Sequence, residues 1–223
     1  MGPADFHLRE LEIARSAADP RHVMPPPVPG CRRILDIGCG AGQTLIVADM
    51  GAARKVGIDC DFEALRLGKQ LSSEIDFVLA MGEALPFLDN TFDRVISRVA
   101  LPYMHIPTVI GETARVLTRE GSVWFVLHPL SRLQAVFHSP RQMVIQTYVA
   151  MNSLLFHFSG LLVHFPFRRD KIESVQTRAG IRRCLRSCGF GEIEFPSGSK
   201  FVVTARKNDP PLIVLGNSPV SGF

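Results

Sequence analysis

The residues with the most chemical content lie together in Leu35-Asp36-Ile37-Gly38-Cys39-Gly40-Ala41-Gly42, directly after an apolar run. Glycines there let backbone approach a ligand closely, and a helix starting behind the loop offers free N–H groups. Asp59 ends the next apolar run, about 20 residues beyond the loop, where a carboxylate can accept both hydroxyls of a ribose. Two features narrow the ligand. A dinucleotide loop wants Gly or Ala at its sixth position, and Gln43 stands there. Asp36 adds negative charge beside any pyrophosphate, yet suits an ammonium. The pattern favours a nucleoside carrying an amino-acid moiety.

Further along, Ala100-Leu101-Pro102-Tyr103-Met104-His105 follows a predicted strand, at the carboxyl end where parallel sheets collect ligands. His105 and His128 are candidate general bases, because imidazole titrates near neutral pH. Packed or solvated histidines without a chemical role are the alternative. Tyr103 and Met104 read as candidate substrate walls. Cys184 and Cys188 share a helical face but lack Cys-x-x-Cys spacing, so packing is expected and no metal site is. No Gly-x-Ser-x-Gly elbow supports a hydrolase. The arginines Arg178, Arg182, Arg183 and Arg186 read as a solvated helix face.

The elements that must position these groups alternate regularly. A short helix is predicted over 8–18, then a proline-rich link through Pro25, Pro26, Pro27 and Pro29. Strands are expected at 34–37, 55–59, 75–79, 92–97 and 122–127, with helices at 44–50, 62–71 and 109–117. Short apolar strands alternating with helices imply parallel pairing. After His128-Pro129 the rhythm breaks. It resumes with Ile181, Cys184, Leu185 and Cys188 at i, i+3, i+4 and i+7, and Gly189 where a cap would sit. Strands at 192–195 and 201–205, joined by Pro196-Ser197-Gly198-Ser199, make an antiparallel hairpin.

The whole chain of 223 residues, 46% hydrophobic and 21% charged, fits one globular domain and excludes a disordered or collagen-like chain. A net charge of +4 is too small to indicate nucleic acid. Five cysteines, an odd and modest number, suggest a reducing, cytoplasmic setting. The first residues carry early acids and no apolar core, unlike a secretory signal. One stretch is unusual: from Gln142 to Phe167 there is no Asp, Glu, Lys or Arg.

Taken together, the motifs resemble the class I S-adenosylmethionine-dependent methyltransferases, closely from about Cys31 to Leu127 and more loosely over the last helix and hairpin. LDIGCGAG resembles the family's first motif and VGIDCDFEAL its second strand with the ribose acid. GEALPFLDNTFDRVIS and ETARVLTREGSVWFVLHP resemble the fourth-strand and fifth-strand regions. The resemblance implies a three-layer Rossmann-like α/β fold: a seven-stranded, mostly parallel sheet with an antiparallel C-terminal hairpin and a helical lid inserted after the fifth strand. It implies S-adenosylmethionine as cofactor, with Asp36, Gly38, Cys39 and Gly40 around its methionine part and Asp59 on the ribose. Cys60 would lie against adenine, with Met81, Gly82 and Glu83 at its edge and Arg98 near the amino end. Met81 departs from the acid often found at its position. The amine-binding (Asn/Asp)-Pro-Pro-(Tyr/Phe) motif is replaced by Ala100-Leu101 ahead of Pro102-Tyr103, which disfavours base-amine or glutamine acceptors.

The chain accordingly divides into an N-terminal helix and lead-in (1–30), a cofactor-binding core (31–129), an apolar insertion (130–175), the last helix and hairpin (176–207) and a tail (208–223). The insertion is expected as two helical stretches, 141–158 and 160–165, over the cleft. A transmembrane span is disfavoured, because Gln146, Asn152, Ser153, His157, Ser159 and His164 interrupt it. A peripheral membrane contact is kept open by Arg168, Arg169 and Lys171 beside it. The expected activity is O- or C-methylation of a small, fairly apolar acceptor, with a non-catalytic binding module or an RNA or protein methyltransferase as alternatives. Nucleic acid is disfavoured as a partner.

Overall fold

In the computed structural model, residues 2–129, 131, 140–165, 172–198 and 200–208 are described. Seven strands form one sheet: β1 (Arg33–Ile37), β2 (Arg54–Asp59), β3 (Ile75–Leu79), β4 (Phe92–Arg98), β5 (Leu117–Leu127), β6 (Phe190–Glu194) and β7 (Phe201–Lys207). Their order is β3-β2-β1-β4-β5-β7-β6. The first five pair in parallel, and β7 runs antiparallel to both β5 and β6. That is the expected fold, with the hairpin strand β7 inserted between β5 and β6.

Helices cover both faces because the central strands are apolar on both. In β1, Leu35 and Ile37 join a core with β4, β5 and the helices α4 (Ile106–Val116) and α6 (Arg178–Ser187). Ile34 points the other way, packing with Leu45 of α2 (Gln43–Val47) and with Ile96 and Trp124. The helices α1 (Pro3–Arg15) and α3 (Phe62–Leu71) complete the set before α5 (Pro140–Ser159). Local chemistry sets their starts. Asp61 caps α3 by accepting from the N–H groups of Glu63 and Ala64, and Thr177 caps α6 by accepting from Gly180 N–H. Buried Arg94 donates from Nη1 to the Pro26 carbonyl at 2.6 Å, which seats the proline link against β4.

Two expectations are corrected here. The fifth strand begins at Leu117 rather than Ser122, because Leu117 already pairs with Phe92 before a register shift in β4. Among the described residues, the stretch expected as two helices, 141–158 and 160–165, holds one helix. At Gly160 φ is +74°, a left-handed conformation that ends α5, and residues 161–164 run on without helix. Val163 then gives both its backbone groups to the Asn152 side chain: its N–H donates to Oδ1 and its carbonyl accepts from Nδ2, each at 2.8 Å. Arg168, Arg169 and Lys171, and the tail from residue 209, lie outside the described residues. No helix among the described residues is long and apolar enough to cross a membrane.

Candidate cofactor and acceptor site

The glycine loop is built to let something approach. Gly38 has φ +71°, and a Cβ there would stand 2.2 Å from the Ala100 Cβ. The N–H groups of Gly38 and Cys39 both donate to the Ile58 carbonyl at 2.9 Å, locking the loop to β2. Asp59 is fixed from two sides: Gly40 N–H donates to Oδ2 at 2.8 Å and Asp61 N–H to Oδ1 at 3.0 Å. Each oxygen keeps a further lone pair for a hydroxyl donor.

Beneath the loop, Asp36 is buried, and none of the described residues donates to its Oδ1. Burial pushes its carboxyl up to about 8, against the pull of Arg98 and with a further push from Asp59. An orphaned, buried carboxylate oxygen calls for a cationic or N–H donor. Arg98 is largely buried and turns elsewhere: its Nε donates to Thr44 Oγ1 at 3.2 Å and its Nη2 pairs with Glu10 of α1 at 3.4 Å.

The loop, Asp59 and Arg98 open into a cavity of about 790 Å³, while Asp36 is buried behind its lining. Gly38, Cys39, Gly40, Asp59 and Arg98 line one part of it, and Tyr103 and His128 another. His128 Nε2 lies 3.1 Å from Tyr103 Oη, with the rings edge to face at 5.5 Å. Gln176 holds the His128 backbone, accepting its N–H at 3.3 Å and donating its own N–H to its carbonyl at 2.9 Å. Val99, Val126, Leu127 and Phe201 supply apolar wall, and Arg21 and Lys200 supply positive charge.

Other expected site residues stand apart from the cavity lining. His105 sits at the start of α4, with Nδ1 2.7 Å from Thr108 Oγ1 and its N–H donating to Glu83 Oε1 at 2.8 Å. Burial and nearby His164 hold its imidazole below the usual range. Met81 and Cys60 are exposed beyond the lining, while Gly82 packs against Met104 and Ile37. Met104 also lies under the loop, its Cε 3.2 Å from where a Gly38 Cβ would be. Cys184 and Cys188 lie on α6 and its cap within the core, as their spacing predicts. Among the described residues, no cluster of His, Cys, Asp and Glu could hold a metal ion.

The cover over the glycine loop differs from the expected lid. Phe6, His7 and Glu10 of α1 line the cavity, and the Gln43 amide donates to the His7 carbonyl at 3.2 Å. From the insertion, Ser131 alone among the described residues does so, while α5 packs on α6 and on residues 172–175. Periodicity gave no signal for this role, because His7 shares a helix face with buried Leu11 and Ala14, at i, i+4 and i+7.

Residues 35–125 match the family described as Methyltransferase domain. That stretch is similar to a methyltransferase domain. An uncharacterized methyltransferase of Bacillus subtilis, YcgJ, is 30% identical over 102 residues, covering 43% of this chain and 40% of that protein. A demethylmenaquinone methyltransferase of Renibacterium salmoninarum is 32% identical over 97 residues, again 43% and 40%. The matches thus span about two-fifths of these curated relatives. A methyltransferase in complex with the Haloferax volcanii Trm112 methyltransferase activator shares the fold at TM-score 0.64 and 16% identity, over 93% of this chain and 95% of that one.

The cofactor of a methyltransferase domain of this kind is S-adenosylmethionine, and the donor set here suits it. Its ammonium would suit the orphaned oxygen of Asp36, buried behind the lining, and its ribose would suit the spare lone pairs of Asp59, beside the lining glycines Gly38 and Gly40.

Proposed function

We propose that the whole protein is a methyltransferase acting on a small, fairly apolar acceptor at oxygen or carbon, with His128 as the proton acceptor. One observation carries this reading: a single cavity joins the Gly38–Asp59 end to the Tyr103–His128 pair, with apolar wall between polar ends. S-adenosylmethionine, when bound, supplies a sulfonium methyl that a nucleophile takes in one in-line displacement. Asp36, Gly38, Cys39, Gly40, Asp59 and Arg98 would hold and orient it. Alignment of this kind is worth about 7–11 kcal/mol in favourable cases.

A hydroxyl acceptor must lose its proton as its oxygen bonds to the methyl carbon and the carbon–sulfur bond breaks. The proton would go to His128 Nε2, directly or by way of Tyr103 Oη, which already neighbours it. Gln176 keeps the imidazole in place through its backbone. The apolar walls suit an aromatic or isoprenoid body, and the demethylmenaquinone enzyme among the relatives is consistent with such an acceptor. Lys200 and Arg21 favour an acceptor that also bears an anionic group. His105, bonded to Thr108 and Glu83 outside the cavity lining, is the weaker base candidate. Met81, Gly82, Glu83 and Cys60 would border the adenine.

The test is an acceptor screen with methyl-labelled S-adenosylmethionine against phenols, quinols and apolar acids. Label should enter one of these classes, and His128→Ala should slow transfer on the order of 10²–10⁴-fold without changing cofactor affinity. Label confined to RNA or protein would refute the acceptor class. An unchanged rate in the variant would remove His128 from the chemistry.

A further inference from the structure

We infer that the outer face of α5 is a docking surface for an anionic lipid membrane. A helix that is apolar all round belongs in a core or against lipid. The inner face of α5 is in the core: Tyr148, Val149 and Phe156 are buried. Its outer face is apolar too. Val144, Met151, Leu154 and Phe158 stand exposed on it, Phe158 at 73%, and Leu161 just beyond the helix is 63% exposed. Val144, Met151, Leu154 and Phe158 share one face at helical spacing, with Thr147 among them, so these side chains make one stripe rather than scattered contacts.

Charge identifies the occupant. Residues 140–187 hold eight Lys and Arg against two Asp and Glu, an excess of six in a chain whose net charge is only +4, so the remainder is slightly acidic. Along the chain, the basic surplus of the protein therefore lies within and next to the α5 segment, which itself carries Arg141. The described part of that surplus is close at hand. Exposed Arg183 donates from Nη1 to the carbonyl of His157, the residue next to Phe158, and Arg178 and Arg186 are exposed on the same helix α6. An apolar stripe with a cationic border is what an anionic headgroup layer over acyl chains complements. A symmetric pairing of two such faces would instead bring like charges together. With α5 too polar to cross a bilayer, the contact is an interfacial one.

The experiment uses the full chain with extruded vesicles of phosphatidylcholine alone, or of phosphatidylcholine mixed with phosphatidylglycerol. The protein should float with the mixed vesicles, less so with the neutral ones, and binding should weaken as salt rises. Replacing Leu154→Ser together with Phe158→Ser should lower partitioning roughly tenfold or more, with S-adenosylmethionine affinity unchanged. A separate variant, Phe158→Trp, should shift its emission to the blue on adding mixed vesicles. No flotation with mixed vesicles, or no blue shift, would overturn the inference. So would a concentration-dependent dimer, seen by sedimentation velocity without lipid and abolished by the double substitution, since the face would then belong to a second copy.

Discussion

Asp36 is the residue whose state is most sensitive to the cofactor. Its carboxyl is raised to about 8 by burial, with Arg98 lowering it and Asp59 adding to the rise, while neighbouring Cys39 is buried beside it. Because the folded pKa lies above the unfolded one, the stability contributed by the protonated form is fully present below about 4 and is lost as pH climbs towards 8. An ammonium placed against Oδ1 favours the charged form, so binding should release a proton near neutral pH. Calorimetry in buffers of different ionisation enthalpy should show a release approaching about one proton at roughly pH 7. Asp36→Asn should abolish that release, and a proton count unaffected by the substitution would contradict the assignment. The sequence made Asp36 and Asp59 legible as candidates because the roles proposed for them follow from their distance to a local turn. It could not show that Asp36 lacks an internal donor, which depends on Arg98 turning to Thr44 and Glu10.

At the scale of elements, α1 stands where the insertion was expected. A cover over the cleft was expected from the insertion, yet α1 lies at the cavity and α5 is bonded into the flank. Asn152 is the fastening there. It is fully buried and serves the N–H and carbonyl of Val163 and the carbonyl of Glu173. Asn152→Ala would remove the partners of the Val163 N–H and the Glu173 carbonyl, while Tyr148 Oη would still serve the Val163 carbonyl, at a cost of about 1–3 kcal/mol. Urea unfolding should move to a lower midpoint with unchanged slope, and S-adenosylmethionine affinity should stay the same. Equal midpoints for the two proteins would mean the segment after α5 does not depend on this side chain. The apolar run disguised the segment: Gly160, Leu161, Leu162, Val163 and His164 have helix-compatible apolarity, and what ends the helix is a backbone conformation and a side chain eight residues back from Gly160.

For the whole molecule, the cavity ties α1, the glycine loop, β2, β4, β5 and the hairpin strand into one site. A ligand bound there and not to the unfolded chain must stabilise all of these elements together. At a hundredfold excess over its dissociation constant it adds about 2.7 kcal/mol, or a rise of about 5–10 °C in melting temperature for a chain of this size. Both S-adenosylmethionine and its demethylated product should produce the shift, and NAD should not. A shift with NAD alone would return the loop to the dinucleotide reading that Gln43 and Asp36 disfavour. The same global view exposes the charge asymmetry. A net charge of +4 looks unremarkable until the surplus is counted within residues 140–187, the stretch of sequence that contains α5 and α6.

The parallel sheet, the hairpin, the glycine loop and the acid at the end of the second strand were all written in short-range patterns. Apolar strands of four to seven residues, a turn of small residues and an acid at a strand end depend only on neighbours along the chain, so the sequence alone determined them. Only the tertiary structure decided which helix covers the cleft, that His128 rather than His105 faces it beside Tyr103, and that the uncharged run keeps one face in the core and one in solvent. Each of these depends on contacts between residues tens of positions apart, such as Gln43 with His7 or His128 with Gln176. Periodicity carries no record of such contacts, because it reports the face a residue occupies and not the element that face will meet.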